Sequence, residues 1–189
     1  APGSNEQKLG DFYRLGLDDA KLNTDGITPL KPTLARIDAL ADGAGVLACL
    51  GRGLNVLQAN IEGGLNLFED AAFDVVILSQ TLQATRHTEA LVREVLRVGK
   101  SAIVTLPNFG HWSVRWQLGV GGRMPVSKRL PYQWYDTPNI RVGTLRDFAA
   151  LARQNQLQIL DSFGLQDGQE IRFWPNARAS RAVFKLQRG

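Results

Sequence analysis

Between Phe73 and Leu106 the apolar residues are spaced in two different ways. Phe73-Asp-Val-Val-Ile-Leu-Ser79 is a short run rich in β-branched residues, the pattern of a strand buried on both faces. From Thr88 to Val98 the period lengthens, and Leu91, Val92, Val95 and Val98 recur at helical spacing. Thr88 is placed to cap the start of that helix and Gly99 lies just past its end. Ser101-Ala-Ile-Val-Thr-Leu106 then reads as a second buried strand. Two such strands joined by a crossover helix make a βαβ unit, right-handed in a parallel sheet. Ligands of open α/β sheets sit beyond the carboxyl ends of the strands, here Ser79-Gln80-Thr81 and Pro107-Asn108-Phe109-Gly110.

The flanking sequence is compatible with the same architecture. Gly45–Leu50 reads as a helix, Leu54–Ala59 as a strand and Asn60-Ile61-Glu-Gly-Gly64 as the loop after it; Leu34–Leu40 fits helix and strand equally. After Pro107 the chain enters an irregular insertion, residues 107–143, rich in aromatic and basic residues. Trp112 and Trp116 stand one helical turn apart within it, with Gly119, Gly121 and Gly122 to end the helix. Thr144, with Asp147 three residues on, predicts a capping box ahead of the apolar stripe Leu145, Phe148, Ala149, Leu151 and Ala152. Leu157–Leu160 and Arg181–Leu186 read as closing strands, with a hairpin turn at Asp167-Gly-Gln169 between them, which suits an antiparallel edge. The expectation is a single α/β domain over residues 1–189, mostly parallel, with residues 1–44 atypical.

Composition narrows the partners. With 189 residues and 44% hydrophobic content the chain can bury one good core. No run approaches the ~18 apolar residues of a membrane span, and the N-terminus has no signal-peptide pattern. Cys49 is alone in an apolar stretch and reads as core, so a reducing cytoplasm is the expected home. The net charge is +4, unevenly spread. No acidic residue lies between Glu94 and Asp136, where Arg97, Lys100, Arg115, Arg123, Lys128 and Arg129 fall, and after Glu170 the tail carries only positive charges. Such a field recruits an anionic ligand or an acidic protein surface, or is simply a solvated basic face. No helix-turn-helix, zinc finger or RNA-binding signature supports nucleic acid.

Candidate chemistry is sparse. His87 and His111 have no cysteine or close carboxylate pair to complete a metal set, and no Gly-x-Ser-x-Gly elbow, Walker loop or Gly-x-Gly-x-x-Gly is present. No catalytic or metal-ligating residue is assigned. Asn60 directly follows a strand and can hydrogen-bond a base or ribose edge, or serve equally as a turn residue; Ser79 and Gln80 hold the matching place on the next strand. Asn108, His111, Trp112, Tyr132 and Tyr135, with Trp134, either wall a substrate or partner cleft or pack the insertion onto the sheet.

Longer strings carry a resemblance. Gly45-Val-Leu-Ala-Cys-Leu, Phe73–Ala84, Leu96-Arg-Val-Gly99, Pro107-Asn-Phe-Gly-His-Trp112, Gly122-Arg-Met-Pro-Val-Ser127 and Leu130-Pro-Tyr-Gln-Trp-Tyr-Asp-Thr-Pro-Asn139 resemble the methionine biosynthesis MetW family, a class I S-adenosylmethionine-dependent methyltransferase-like family. The resemblance implies a Rossmann-like sheet with helices on both faces, an S-adenosylmethionine site, and a role supporting homoserine O-acyltransferase. By position it puts Asn60 and Ile61 near the adenine and Ser79 and Gln80 on the cofactor side. Counted back without gaps, the family's Leu-Gly-Cys-Gly-Asp-Gly loop falls at Leu9-Gly10, with Phe12 and Arg14 where glycines are needed for close backbone approach. Asp38 is the candidate ribose acid. Two readings of residues 1–44 stand: the cofactor loop is lost, or the segment is incomplete or misassigned. The leading expectation is a supporting protein for the acyltransferase; the alternatives are a small-molecule methyltransferase and, weakest, a nucleic-acid modifier with salt-sensitive binding.

Overall fold

The computed structural model describes residues 34–38, 61, 65–127, 130 and 132–189. The predicted helix at 45–50, the strand at 54–59, Cys49, Gly10 and Asn60 lie outside the described residues. β1 (Leu34–Asp38) resolves the ambiguity of its segment in favour of a strand. It pairs in parallel with β2 (Phe73–Ser79), Leu34 opposite Val75 and Asp38 opposite Ser79. β2 pairs in parallel with β3 (Gly99–Pro107), and the crossover between them is α1 (Thr88–Val98).

The ends of α1 differ from expectation. The His87 carbonyl already accepts the first helical bond, from Leu91 N at 3.0 Å, so Thr88 is the first helical residue rather than the cap. Gly99 is extended, with φ −115°, so no left-handed turn stops the helix. Its glycine is required by packing: a Cβ there would lie 2.6 Å from Val76 Cγ2. β3 therefore begins with no connecting loop.

The other half of the sheet is antiparallel. β4 (Leu157–Gln166), β5 (Gln169–Ile171) and β6 (Arg181–Arg188) complete the order β1-β2-β3-β6-β4-β5 among the described residues. β6 runs antiparallel to both β3 and β4, and β5 antiparallel to β4. The predicted hairpin turn thus joins β4 to β5, a strand the sequence pattern did not reveal, instead of lying between two closing strands. Asp167 and Gly168 both have positive φ, 53° and 84°, the two-residue geometry that matches strand twist. The antiparallel part is three strands wide.

One face of the sheet carries the core. Val76, Ala102 and Leu186 align across three strands, as do Leu78, Val104 and Phe184, and all six are at most 2% exposed. Onto these rows pack Leu91, Val92, Val95 and Leu96 of α1 and Leu145 and Phe148 of α3 (Leu145–Gln154). The rings of Phe148 and Phe184 lie 4.6 Å apart. The capping box of α3 is formed as predicted: Thr144 Oγ1 accepts from Asp147 N, and Thr144 N donates to Asp147 Oδ2. The alternate positions Val75, Ile77 and Ile103 are only half-buried.

The insertion contributes α2 (Trp112–Gly119), of which Val114 alone is buried, and a lone bridge between Ser127 and Leu130. A last turn of helix, α4 (Pro175–Arg178), precedes β6.

Candidate functional site at the carboxyl rim

Three polar positions end the parallel strands in one row: Asp38 opposes Ser79, and Ser79 opposes Thr105. Of these the sequence singled out the first two. Thr105, 1% exposed, escaped because it sits inside an apolar run, where it reads as strand filler. Its role is to turn the chain. Gln80 N donates to Thr105 O and to Thr105 Oγ1, both at 3.1 Å, and Gln80 adopts φ 47°. A non-glycine residue in this region costs ~1–3 kcal/mol and persists only when its surroundings over-determine it. Here Thr81 Oγ1 donates to Ser79 O at 3.0 Å and Gln83 Nε2 to Gln80 O at 2.6 Å, which completes the reversal into a single 3-10 turn at Leu82–Ala84. Ser79 is left half-buried at the lip and Gln80 exposed. Ile61 packs against the hydrophobic core.

The second group of predicted residues is split. Asn108, 2% exposed, has its amide fully employed inside the protein. Its Nδ2 donates to Asn176 O at 3.0 Å and Ala179 O at 2.6 Å, and its Oδ1 accepts from Gly110 N at 2.9 Å. It fastens α4 to the start of the insertion. His111 is buried and caps α2, its Nδ1 accepting from Ser113 N at 3.3 Å and lying 2.7 Å from Ser113 Oγ. The expected aromatic wall does not close over them. Trp112, Trp134 and Tyr135 are 63–72% exposed and Tyr132 is 42% exposed. Trp134 and Tyr135 stack edge-on against each other at 5.7 Å, while Trp112 lies against His111 at 5.8 Å.

A cleft of about 650 Å³ opens instead beside the end of β3, between the start of α1 and the start of α3. Leu82, Leu106, Phe148 and Leu151 floor it, and Arg86, His87, Arg93 and Arg141 give it a basic lining against Glu89 and Asp147. Arg93 donates through Nε and Nη2 to Asn155 Oδ1, at 3.0 and 2.7 Å, and Arg141 Nη2 donates to Arg86 O at 2.7 Å. Both guanidiniums are thus held by neutral oxygens and keep their charge for an anion. Gln83 Oε1 is buried among these residues without a hydrogen-bond partner. Of the residues predicted for the rim or the substrate cleft, Pro107 alone lines this space.

The positive field read from sequence is partly cancelled elsewhere. Arg97 pairs with Glu94 at 2.9 Å and Asp70 at 2.7 Å and also donates to the carbonyls of Leu65 and Phe68. The Arg97 hydrogen bond holds the Glu94 carboxyl below its usual range, and that carboxylate in turn raises the guanidinium. Lys100 pairs with Asp74 at 2.6 Å. Arg172 binds Asp161 through two hydrogen bonds and pairs with Glu170, and the Asp161 carboxyl is lowered mainly by that arginine. Among the described residues no trio of His, Cys, Asp or Glu gathers as a metal set, and no helix is long and apolar enough to cross a membrane.

The comparisons with known proteins agree with this sheet. The crystal structure of an S-adenosylmethionine-dependent methyltransferase, possible histamine N-methyltransferase, from Thermotoga maritima aligns with TM-score 0.56 and 14% identity, over 78% of this chain and 70% of that one. A putative S-adenosylmethionine-dependent methyltransferase from Listeria monocytogenes aligns with TM-score 0.55 and 14% identity, over 97% and 98%. At such identities the likeness shows the fold, the Rossmann-like sheet of class I methyltransferases. In sequence, the chain is 35% identical over 148 residues to the bifunctional methionine biosynthesis protein MetXA/MetW of Rhodopirellula baltica, a match that covers 76% of this chain and 24% of that relative's length. The family model described as methionine biosynthesis protein MetW matches residues 36–186, and the chain belongs to that family.

Proposed function

We propose that this chain supports homoserine O-acyltransferase in methionine biosynthesis, as a bound companion with a methyltransferase fold. The observation that carries the reading is the relative in which MetXA and MetW share one polypeptide. Joining two proteins in one chain raises their effective concentration to the millimolar range, an arrangement that favours pairs working in contact. The test is to purify the full chain with the acyltransferase and assay the acyltransferase rate with and without it. A stable complex and a higher rate are expected; no complex and an unchanged rate would end the idea.

A second reading, a small-molecule methyltransferase, draws on the rim row of Asp38, Ser79 and Thr105. On this reading Asp38, Asn60, Ser79 and Gln80 would hold S-adenosylmethionine, whose bound role is to supply a methyl group. The fit is incomplete. The family match begins at residue 36, past Gly10, and the sequence directly after Asp38 reads Ala39-Leu-Ala-Asp-Gly-Ala44. There only Gly43 lacks a Cβ, whereas close backbone approach to a nucleotide relies on repeated glycines. Titrating S-adenosylmethionine into the full chain by calorimetry tests this reading, and a flat titration removes it.

A further inference from the structure

Two aromatic outcrops leave the fold at one junction. The first is on α2, where Trp112 and Trp116 are 63% and 65% exposed. The second precedes α4, where Phe173 and Trp174 are 68% and 69% exposed and stack at 5.5 Å with their planes 6° apart. They are far apart in sequence, but the Asn108 amide ties their bases together: its Nδ2 donates to Asn176 O and Ala179 O, while Gly110 N donates to its Oδ1. Trp112 is four residues from Asn108, at most roughly 14 Å of chain, and Trp174 is two residues from Asn176. The junction is also too tight to slip, because a Cβ at Gly110 would lie 2.8 Å from Asn176 O.

Three features give this aromatic rim a partner's chemistry. Trp174 is held at φ 49°, a left-handed conformation that is an outlier for so bulky a residue and that turns its ring outward at the cost of strain. Four rings about two-thirds exposed amount to roughly 400–650 Å² of open aromatic surface, about half to four-fifths of the ~800 Å² each partner buries in a standard interface. Beyond the Arg172 ion pairs, two flanking arginines are held by neutral groups. Arg115 Nε donates to Gly110 O at 2.6 Å, and Arg178 lies 5.9 Å over the Phe173 ring. Neither has a carboxylate partner among the described residues. Exposed tryptophans beside unpaired arginines are the composition of an interface hot spot.

We propose that Trp112, Trp116, Phe173 and Trp174, on two segments whose bases Asn108 joins, form the surface that docks an apolar, acid-rimmed patch of the acyltransferase. The inference rests on the supporting role proposed above and names the face that performs it. The experiment measures binding of the full chain to purified homoserine O-acyltransferase by calorimetry, for wild type and for Trp112→Ala, Trp116→Ala, Trp174→Gly and, as a control in the other exposed aromatic pair, Trp134→Ala. Trp174→Gly keeps the left-handed backbone without strain, so the variant is expected to fold, which its unfolding midpoint checks. Each of the first three variants is expected to weaken binding tenfold or more, and Trp134→Ala less than twofold. If the acyltransferase binds wild type and all four folded variants alike, the docking surface is wrong and the supporting role survives. No binding by wild type defeats both. A homodimer seen by sedimentation and split by Trp174→Gly gives the surface to a second copy and overturns the proposal.

Discussion

α1 and α2 lie within one stretch of chain and spend their apolar residues in opposite ways. α1 buries Leu91, Val92, Val95, Leu96 and Val98 on one stripe. α2 buries Val114 and leaves Trp112, Trp116 and Leu118 outside. The reason is spacing. Intervals of three and four keep side chains on one face of a helix, whereas the intervals of two that separate Trp112, Val114, Trp116 and Leu118 send them to alternate sides. α1 can only be a core helix. α2 presents one apolar side to the body and leaves another in solvent. Burial ties α1 to stability, the proposed docking face gives α2 to recognition, and each half can be broken.

The largest effect belongs to the core on which α1 packs. Phe184, 2% exposed against Phe148 and the β3 row, should cost about 3–5 kcal/mol when changed to Ala, read from urea unfolding. A loss under 1 kcal/mol would mean that the sheet face is not where the stability lies. Next is Gly99→Ala. If Gly99 only ended the helix, its extended φ would admit alanine at no cost; because Val76 stands 2.6 Å from the added methyl, a loss of about 1–3 kcal/mol is expected.

The same contrast explains what the sequence revealed. β2, α1 and β3 could be read directly because local periodicity and burial agree there, and so could the Thr144 box, whose partners are three residues apart. β5 was hidden because three residues, Gln169, Glu170 and Ile171, carry no period, and its strand identity comes from pairing with β4. The rim was half visible: Ser79 and Asp38 are polar residues closing apolar runs, but the register that aligns them with Thr105 is a tertiary fact. Local sequence could not show that carbonyls 68 and 71 residues away consume the Asn108 amide, because those bonds are tertiary. The cleft arginines Arg86, Arg93 and Arg141 lie outside the two basic stretches legible in the sequence, and within those stretches carboxylates neutralise Arg97 and Arg172.

Smaller effects sharpen the picture at the helix ends. Thr144→Ala removes the acceptor for Asp147 N and should cost about 1 kcal/mol, seen as a lowered Tm. Glu94 supplies a pH test of the hub that braces α1. Its folded pKa is depressed by Arg97, so its contribution is complete above the unfolded value, about 4.3, and is lost as pH falls through the folded value. The stability gap between wild type and Arg97→Gln should therefore be widest near neutrality and narrow toward pH ~3, measured as urea midpoints. A gap that stays constant would assign the Arg97 contribution to its carbonyl bonds at Leu65 and Phe68.

The smallest expected effect on stability is the sharpest test of α2. Trp116 is a large apolar residue, and in a core helix its truncation would cost several kcal/mol. Here it is 65% exposed on the side away from Val114, so Trp116→Ala should change the unfolding free energy by less than about 0.5 kcal/mol. Val114→Ala, on the buried side two residues earlier, should cost more than Trp116→Ala despite the smaller side chain. A helix needed for folding would give the reverse order, because the larger ring would then hold the larger share of the buried surface. If the order is as expected, the tryptophans contribute nothing to the isolated chain, and their surface is available to lose water only when a partner arrives.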